Sequence, residues 1–459
     1  MTSWTPSLTG RSGPTYVALA NAIADAVESG DLTPGERLPA RRDLAHALKV
    51  SVNTVSSAYQ EAERRGYVQG EVGRGTFVRR RTEETFTYGH PAGLIDLSIC
   101  RPAVIPDQMS AIRDVIRAAA EEPDLASMLA CRPIIGLPDH RVSASRWLYR
   151  LGMPADPSDI VITNGCSHGL FVALSAVVEP DDIVVTDGLT DHGVIALASL
   201  LRFNLKPLAT DSEGITPASF RAAAAKGTVK ALVTTPTLNN PTCTIMSVER
   251  REEIAAIAAE HDVAIIEDDV FSPLLEDSPP PLASFNPDNS YYVTSLTKCT
   301  VPGMRVGYLV GPSRNTQRLV ARVRTTAWMA TPLVADLASR WIEDGTIDEI
   351  VAGQRRELAA RQAIVASYLK DFDSKSHPVG PNVWLSLPGE WRAEGFVRHA
   401  FQRGVVITPP EPFIVGRSAA PHAVRLSVGS VETRAELEQA LEILCEDLSQ
   451  RPEPAFMDV

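Results

Sequence analysis

The chain has 459 residues and is 44% hydrophobic and 22% charged, a composition ordinary for a soluble protein. This length exceeds what one hydrophobic core usually supports, so two or more domains are expected. The first 14 residues lack the apolar core of a signal peptide, and the longest apolar run, residues 169–178, is too short to span a bilayer. The six cysteines are scattered and form no C-x-x-C pair, which indicates neither a disulfide framework nor a zinc site. We therefore expect a cytoplasmic protein with reduced thiols and no metal.

Charge is distributed unevenly along the chain. Residues 1–81 hold 11 Lys and Arg against 8 Asp and Glu, whereas the whole chain has a formal net charge of −12. The N-terminal part is therefore basic and the remainder of the chain is acidic. This distribution suits a protein whose N-terminal part contacts phosphates and whose remainder does not.

Three helices and a hairpin are predicted in the first 78 residues. Apolar residues at helical spacing predict a helix over residues 16–28. Two short helices follow, at about residues 41–48 and 52–65, and Ser51 is the expected N-cap of the second. Alternating apolar and polar residues with three glycines predict a β-hairpin over residues 67–78.

The order of helix, helix-turn-helix and glycine-tipped hairpin resembles the GntR-type winged-helix DNA-binding domain. The segments L38-P-A-R-R-D-L-A, V50-S-V-N-T-V and G73-R-G-T-F-V match its signature. The resemblance implies double-stranded DNA as a partner. It places five residues in contact with DNA: Arg41, Arg42, Asn53, Thr54 and Arg74. Taken alone, Arg41 and Arg42 would equally suit the solvent-exposed face of a helix.

The rest of the chain follows an α/β pattern. Short β-rich runs alternate with helical stretches at residues 159–163, 182–186, 229–235, 263–269, 291–296 and 305–310. Such runs predict a mostly parallel sheet covered by helices. Ligands bind beyond the carboxyl ends of the strands in these sheets, so the residues that follow each run are the candidates for a site.

Residues with distinct chemistry lie at the ends of three of these runs or just beyond them. Lys298 is one of only seven lysines among 44 basic residues, and a primary amine, unlike a guanidinium, can form a Schiff base with an aldehyde. Ser295 and Arg305 lie in the same loop and can bind an oxyanion. Asp268 supplies a carboxylate that could pair with a protonated ring nitrogen. The turn N164-G-C-S-H-G-L leads into a helix whose free N–H groups favour an anion.

This set resembles the fold-type I pyridoxal phosphate enzymes of the class I/II aminotransferase family, over residues 95–450. The resemblance implies pyridoxal 5'-phosphate bound to Lys298, with Asp268 on its ring nitrogen and Asn240 on its ring oxygen. It implies that Arg425 binds the carboxylate of a substrate or effector. It assigns the phosphate to Gly165, Cys166, Ser167, Ser295 and Arg305. Considered one at a time, these residues have other interpretations: Arg425 would equally suit a surface salt bridge, and Asp268 would equally suit a cap at the end of a strand.

Three aromatic side chains of many relatives are missing. Cys131 and Phe271 stand where tyrosines are common, and the segment T186-D-G-L-T-D-H-G lacks the aromatic residue that stacks on the cofactor ring. His192 is a candidate substitute, although a lone histidine is more often structural. These departures weaken the case for full transamination.

The whole chain resembles the MocR family of bacterial regulators. This resemblance implies a winged helix-turn-helix DNA-binding domain at 1–78, a linker at 79–93 and an aminotransferase-like domain at 94–459, with a smaller C-terminal α+β subdomain from about residue 345. It implies a homodimeric transcription regulator that senses an amine or amino acid through external aldimine formation at Lys298. Two alternatives stay open: an amino acid aminotransferase with an appended DNA-binding domain, and a DNA-binding protein whose body is inert. The effector, the operator and the sign of regulation are also open.

Overall fold

The computed structural model describes residues 4–8, 14–33, 35–64, 67–71, 75–78, 93–123, 125–129, 131, 133–416 and 420–450. Contacts divide the chain into two compact units, Met1–His90 and Pro91–Val459, called here the head and the body. Arg74 and nearly all of the predicted linker lie outside the described residues. No helix in the described part of the chain combines the length and the hydropathy needed to cross a membrane.

The head contains the predicted helices and hairpin. Its elements are α1 (Thr15–Ser29), α2 (Arg41–Leu48), α3 (Val52–Arg64), β1 (Val68–Glu71) and β2 (Gly75–Val78). The strands pair antiparallel. The Ser51 hydroxyl accepts a hydrogen bond from the Thr54 N–H at 3.0 Å, which confirms Ser51 as the cap of α3. Leu19, Val55 and Tyr59 pack together in the core of the head because the apolar residues of each helix fall on one face.

The body contains fourteen strands among its described residues. They are β3 (Ile95–Asp96), β4 (Ile160–Thr163), β5 (Ile183–Asp187), β6 (Asn204–Leu208), β7 (Thr210–Asp211), β8 (Gly214–Ile215), β9 (Val229–Thr234), β10 (Ala264–Asp268), β11 (Ser290–Ser295), β12 (Gly307–Val310), β13 (Ser374–Ser376), β14 (Asn382–Ser386), β15 (Val405–Val406) and β16 (Ala423–Ser427). Its α-helices are α4 (Pro106–Ala120), α5 (Pro138–Arg150), α6 (Cys166–Val177), α7 (His192–Leu201), α8 (Pro217–Ala224), α9 (Val248–Glu260), α10 (Thr316–Thr326), α11 (Pro332–Asp344), α12 (Thr346–Tyr368), α13 (Ala393–Gln402) and α14 (Arg434–Ser449).

Seven strands form the central sheet, in the order β4-β12-β11-β10-β9-β5-β6. β12 is antiparallel to both of its neighbours, and the remaining pairs are parallel, so the predicted α/β fold with a mostly parallel sheet is confirmed. The sequence pattern missed β6, an edge strand whose exposed residues and Pro207 hide its pairing. Because β12 runs in the opposite direction, its first residue, Gly307, lies beside Ser295 and Thr163, the last residues of β11 and β4.

A smaller antiparallel sheet, β13-β14-β16, lies in the C-terminal part of the body. Every residue of β16 is buried, including Arg425 at its centre. The short strand β3 pairs in parallel with β15, and the Leu97 carbonyl accepts a hydrogen bond from the Ser427 N–H at 2.8 Å. The first described residues of the body therefore run beside the strand that carries Arg425.

Candidate functional site

Lys298 lies at the carboxyl edge of the central sheet. β11 ends at Ser295, and one turn of 3-10 helix, Leu296–Lys298, follows and places the lysine half-buried beyond the strand. Its Nζ donates a hydrogen bond to the Cys100 carbonyl at 2.6 Å. Among the described residues no carboxylate forms an ion pair with this amine, so its recorded partner is a neutral group.

Asp268 ends the neighbouring strand, β10, and is 8% exposed. The Cys166 thiol donates a hydrogen bond to its Oδ1 at 3.0 Å. Burial raises the pKa of Asp268 to about 7, while the Cys166 thiol and the nearby Lys298 act in the opposite direction. Burial and the adjacent carboxylate raise the pKa of the thiol itself well above its usual value, so Cys166 keeps its proton and remains a donor. A cationic group facing Asp268 would favour its ionised form.

An anion pocket lies beside Asp268, where β4 passes into α6. Gly165, with φ +80°, is the residue before α6, so the first N–H groups of that helix are directed toward the strand edge. A Cβ atom at Gly165 would lie 2.9 Å from Nη2 of Arg305, which shows how closely the guanidinium approaches this backbone. Ser295 is 1% exposed, and its Oγ has no hydrogen-bond partner among the described residues. Ser167 is exposed in the first turn of α6.

A chain of hydrogen bonds joins three further side chains, those of Asp191, Asn240 and Arg425. Asn240 donates through Nδ2 to Asp191 Oδ2 at 2.7 Å, and its Oδ1 accepts from Arg425 Nη1 at 3.0 Å. Asp191 also caps α7, since its Oδ1 accepts from the Gly193 N–H at 2.7 Å. The side chain of Asn240 is therefore fixed in orientation by an acceptor at one end and a cation at the other.

Arg425 is 4% exposed and has only neutral hydrogen-bond partners among the described residues. Its Nη2 donates to the Ser98 carbonyl and, at 3.2 Å, to the Thr408 hydroxyl, while its Nε has no partner there. Its guanidinium carbon lies 5.0 Å from the centre of the Phe413 ring. Burial lowers the pKa of Arg425.

The structure thus brings Lys298 and Asp268 to adjacent strand ends of one site, while hydrogen bonds connect Asn240 and Arg425. Sequence reasoning missed Asp191 and Phe413. Asp191 has one recognisable signal, an aspartate directly before an apolar helix, which is typical of an N-cap. Phe413 has none, because it reaches the site only through packing of the C-terminal part of the body.

The three departures from the aromatic pattern lie in different surroundings. Cys131 is exposed. Phe271 is 3% exposed and packs into the hydrophobic core, so this position supplies an apolar ring instead of a hydroxyl. The His192 ring is at the start of α7 and meets Phe413 edge-on, with 6.4 Å between ring centres.

In the head, the predicted DNA contacts that can be described lie on α2 and α3. Arg41 and Arg42 are exposed in the first turn of α2, and Asn53 is exposed in the first turn of α3. Thr54 is half-buried, and its Oγ1 lies 2.8 Å from the Ser51 hydroxyl.

The comparison with protein families identifies both parts of the chain. The model of aminotransferase class I and II matches residues 94–444. The chain belongs to this family. The model of bacterial regulatory proteins of the gntR family matches residues 15–78. An aminotransferase-family body behind a gntR-type domain is the composition of the MocR-type regulators.

The alignments of this aminotransferase-family chain with two regulators extend over nearly the whole of both chains. It is 29% identical over 451 residues to the HTH-type transcriptional regulator YdeF of Bacillus subtilis, with 96% of each chain covered. It is 26% identical over 452 residues to the vitamin B6 salvage pathway transcriptional repressor PtsJ of Salmonella typhimurium, covering 94% of this chain and 99% of the relative. The fold resembles that of the kynurenine aminotransferase of Pyrococcus horikoshii, with a TM-score of 0.73 at 21% identity over 79% of this chain and 93% of the other.

This family member is therefore a DNA-binding transcription regulator with an aminotransferase-like domain. The cofactor of that domain is pyridoxal 5'-phosphate, on which class I and II aminotransferases depend. The residues of the site suit this group. The Ser295 hydroxyl, which has no partner among the described residues, and Arg305 suit a phosphate, and the buried Asp268 suits a protonated ring nitrogen.

Proposed function

We propose that this regulator senses a small amino acid or amine at its cofactor site and that effector binding changes its affinity for operator DNA. The observation that carries the proposal is the buried guanidinium of Arg425, whose partners among the described residues are a carbonyl, a hydroxyl and an amide. A buried cation without an acidic partner is costly, and an anionic ligand compensates for that cost. Arg425 thus favours a ligand with a carboxylate or sulfonate.

The residues that would hold the cofactor are those that surround the strand edge. Asp268 would pair with the ring nitrogen and Asn240 would donate to the ring oxygen. The phosphate would be held by Gly165, Cys166, Ser167, Ser295 and Arg305. When bound, the cofactor supplies an aldehyde carbon that forms a covalent bond with a primary amine, either that of Lys298 or that of a ligand. Asn240 has to exchange Asp191 for the ring oxygen as acceptor, or share its two N–H groups between them.

The spacing of the two cations sets the class of effector. Lys298 contacts the carbonyl of Cys100 and Arg425 that of Ser98, and two residues span at most about 7 Å. The two side chains therefore lie beside the same short segment of chain, and we infer that one small molecule with an amine and an acid group reaches both. α-Amino acids, short ω-amino acids and aminosulfonates meet this description.

Signalling requires the effector to bind two arrangements of the protein with different affinity. We infer a homodimer in the cytoplasm, because two copies of the head would then contact two half-sites of one operator. Arg41, Arg42, Asn53 and Thr54 would supply the contacts of each head with DNA, together with Arg74.

An amino acid aminotransferase is the alternative, since Lys298, Asp268 and Arg425 would also serve transamination. The two functions differ in turnover. A sensor binds the amine and then stalls, because Cys131 and Phe271 replace the phenols that in relatives help to orient the cofactor, and placed groups contribute on the order of 100- to 10,000-fold to proton transfer.

The test is to titrate the cofactor-loaded full chain with a panel of amino acids, ω-amino acids and aminosulfonates. Cofactor absorbance, operator binding and keto product are recorded together. We expect at least one compound to change both absorbance and DNA affinity with little keto product. Turnover on the order of 1 to 1,000 per second would establish the aminotransferase instead.

Variants of the two cations extend this test. Lys298→Ala should abolish trapping of the cofactor by borohydride, because no other described residue of the site supplies a primary amine. Arg425→Gln should weaken the active compound by at least about tenfold, since a hydrogen bond to a charged group contributes about 1.5 to 3 kcal/mol. Arg314→Gln, an exposed arginine near the opposite end of β11, is the matched control and should leave binding unchanged. Trapping on another lysine, or equal effects of the two arginine variants, would contradict these assignments.

A further inference from the structure

A row of polar, uncharged side chains lies on the exposed side of α3. Asn53, Ser57 and Gln60 are exposed and follow one another at spacings of four and three residues, so they form one row along the helix. The side chains that pack into the core of the head are those of Val55, Ala58, Tyr59 and Ala62. This packing fixes which face of α3 is available to a partner.

Val52 adds an exposed apolar side chain next to this row, in the first turn of α3. It is the first residue of the helix and is 43% exposed, and its side chain projects about 100° around the helix axis from that of Asn53. The Ser51 cap fixes the first turn by accepting from the Thr54 N–H. In helix-turn-helix proteins the first turns of the second helix meet the base edges. An exposed valine at this place therefore presents methyl groups where a base would lie.

The polar groups in this row are available for a partner. Among the described residues no hydrogen bond engages the side chains of Asn53, Ser57 or Gln60. The sequence has no Lys or Arg between Val50 and Glu63. The face thus offers amides, a hydroxyl and methyl groups, and it lacks the cationic side chains that most often recognise guanine.

We propose that α3 reads A·T base pairs, with Val52 against the C5-methyl group of a thymine and Asn53 bonded to an adenine. In the major groove adenine presents an acceptor and a donor that match a side-chain amide, and thymine presents a methyl group that matches an apolar side chain. Gln60 supplies a second amide further along the same row. The proposal rests on DNA binding by the gntR-type head and specifies which base pairs that head selects.

Arg41 and Arg42 supply a different part of the interaction. They lie on α2, outside the row, and are exposed. Contacts of such arginines with phosphates position the protein and give affinity that depends on salt, whereas base contacts give sequence preference. Discrimination at the base pairs that face α3 is therefore assigned to uncharged side chains.

The first experiment selects binding sequences from a pool of random 30-base-pair duplexes with the cofactor-loaded full chain. We expect enriched half-sites with A·T pairs at the positions that face α3. In the best duplex, each thymine is then replaced in turn by deoxyuridine, which lacks the methyl group, and each adenine by 7-deazaadenine, which lacks the N7 acceptor. Wild type should lose about fourfold in affinity at one thymine, the contribution of a buried methyl group, and about 5- to 150-fold at one adenine.

The variants identify the side chains responsible. Val52→Ala should bind the unmodified duplex more weakly and become insensitive to deoxyuridine at that thymine, while remaining as sensitive as wild type at the modified adenine. Asn53→Ala should show the reverse pattern. Val52→Arg should shift the preference at that base pair toward G·C. Deoxyuridine at the other thymines is the matched control.

Two outcomes would overturn the proposal. In the first outcome, the enriched half-sites have G·C pairs at the positions where the Val52 and Asn53 variants alter binding. This result would show that α3 reads bases other than those proposed. A loss on deoxyuridine that persists unchanged in Val52→Ala would remove Val52 as its reader. Either result leaves DNA binding by the regulator intact, whereas a failure to enrich any duplex would overturn DNA binding itself.

Discussion

At the scale of single residues, one thiol modifies the acid that faces the cofactor ring. Cys166 lies in the first turn of α6, so its backbone belongs to the anion pocket, yet its side chain donates to Asp268 on the neighbouring part of the sheet. Burial raises the pKa of Asp268, and the hydrogen bond from the thiol offsets part of that rise. Cys166 therefore connects the phosphate end of the site to its ring end.

We expect Cys166→Ala to shift the pH dependence of cofactor binding. Loss of the donor removes a contribution that lowers the pKa of Asp268, so this pKa rises above about 7. The neutral acid pairs poorly with a protonated ring nitrogen. As the pH is lowered, the affinity for pyridoxal phosphate should therefore begin to fall at a higher pH in the variant than in wild type. Dissociation constants of pyridoxal phosphate measured from about pH 6 to about pH 9 test this expectation. This range brackets the pKa of Asp268, around which the ratio of ionised to protonated acid changes about tenfold per pH unit. Cys166→Ser retains a donor and should behave like wild type. Coincident profiles for the alanine variant and wild type would exclude a role for the thiol.

At the scale of secondary-structure elements, the anion pocket depends on the close approach of β12 to the turn between β4 and α6. A Cβ atom at Gly307 would lie 2.7 Å from the backbone carbon of Gly165 and 2.7 Å from the Thr163 hydroxyl. No side chain larger than hydrogen fits between these elements without displacing one of them. The same displacement would move Arg305, two residues before Gly307, away from Gly165.

Gly307→Ala should therefore damage the pocket, whereas Gly303→Ala in the same loop should not, because a Cβ at Gly303 would meet no atom within 4 Å. Overpacking of this kind typically costs about 1 to 3 kcal/mol. We expect the free energy of unfolding of Gly307→Ala to fall by that amount and its affinity for pyridoxal phosphate to fall by about tenfold, equivalent to 1.4 kcal/mol. Urea unfolding and cofactor titration of both variants provide the measurement. Equal behaviour of the two alanine variants would mean that the backbone tolerates the extra carbon.

At the scale of the whole molecule, a basic head is joined to an acidic body. The head has its own hydrophobic core, with residues such as Leu19 and Tyr59, and the body has a separate and larger one. Residues 1–81 carry more basic than acidic side chains, while the whole chain has a formal net charge of −12. The body therefore adds little electrostatic attraction to DNA, and in the proposed homodimer it would raise affinity by joining two heads.

We expect residues 1–81 alone to bind operator DNA more weakly than the full chain, by about 100-fold or more if two linked heads bind one operator. The affinity of the head should fall steeply with salt, because phosphate contacts by Arg41 and Arg42 release counterions and contribute about −0.9 each to the slope of log affinity against log salt. Fluorescence anisotropy between about 50 and 200 mM salt measures both quantities. Circular dichroism of the fragment is the control for folding. A fragment that binds as tightly as the full chain would contradict the model of two joined heads.

Much of the site could be predicted from the sequence because its residues follow short apolar runs whose strand character is local. Lys298, Asp268 and Ser295 could be placed at strand ends by pattern alone, and the parallel sheet then brings those ends to one edge. The helices of the head were equally clear, since their apolar spacing and the Ser51 cap depend only on neighbouring residues.

Only the tertiary structure decided which side chains meet across the chain. The bond from Arg425 to Asn240 joins residues 185 positions apart in the sequence. The contact of Arg425 with Phe413 depends on how a strand packs against a nearby turn, and no local pattern specifies either contact. The direction of the Cys166 thiol toward Asp268 was likewise invisible, because a residue type and its helix position do not determine its partner. The edge strand β6 was missed for a related reason: its pairing is fixed by β5, and its own exposed residues carry little apolar signal. Local hydrophobic periodicity determines elements, whereas the packing of those elements determines contacts.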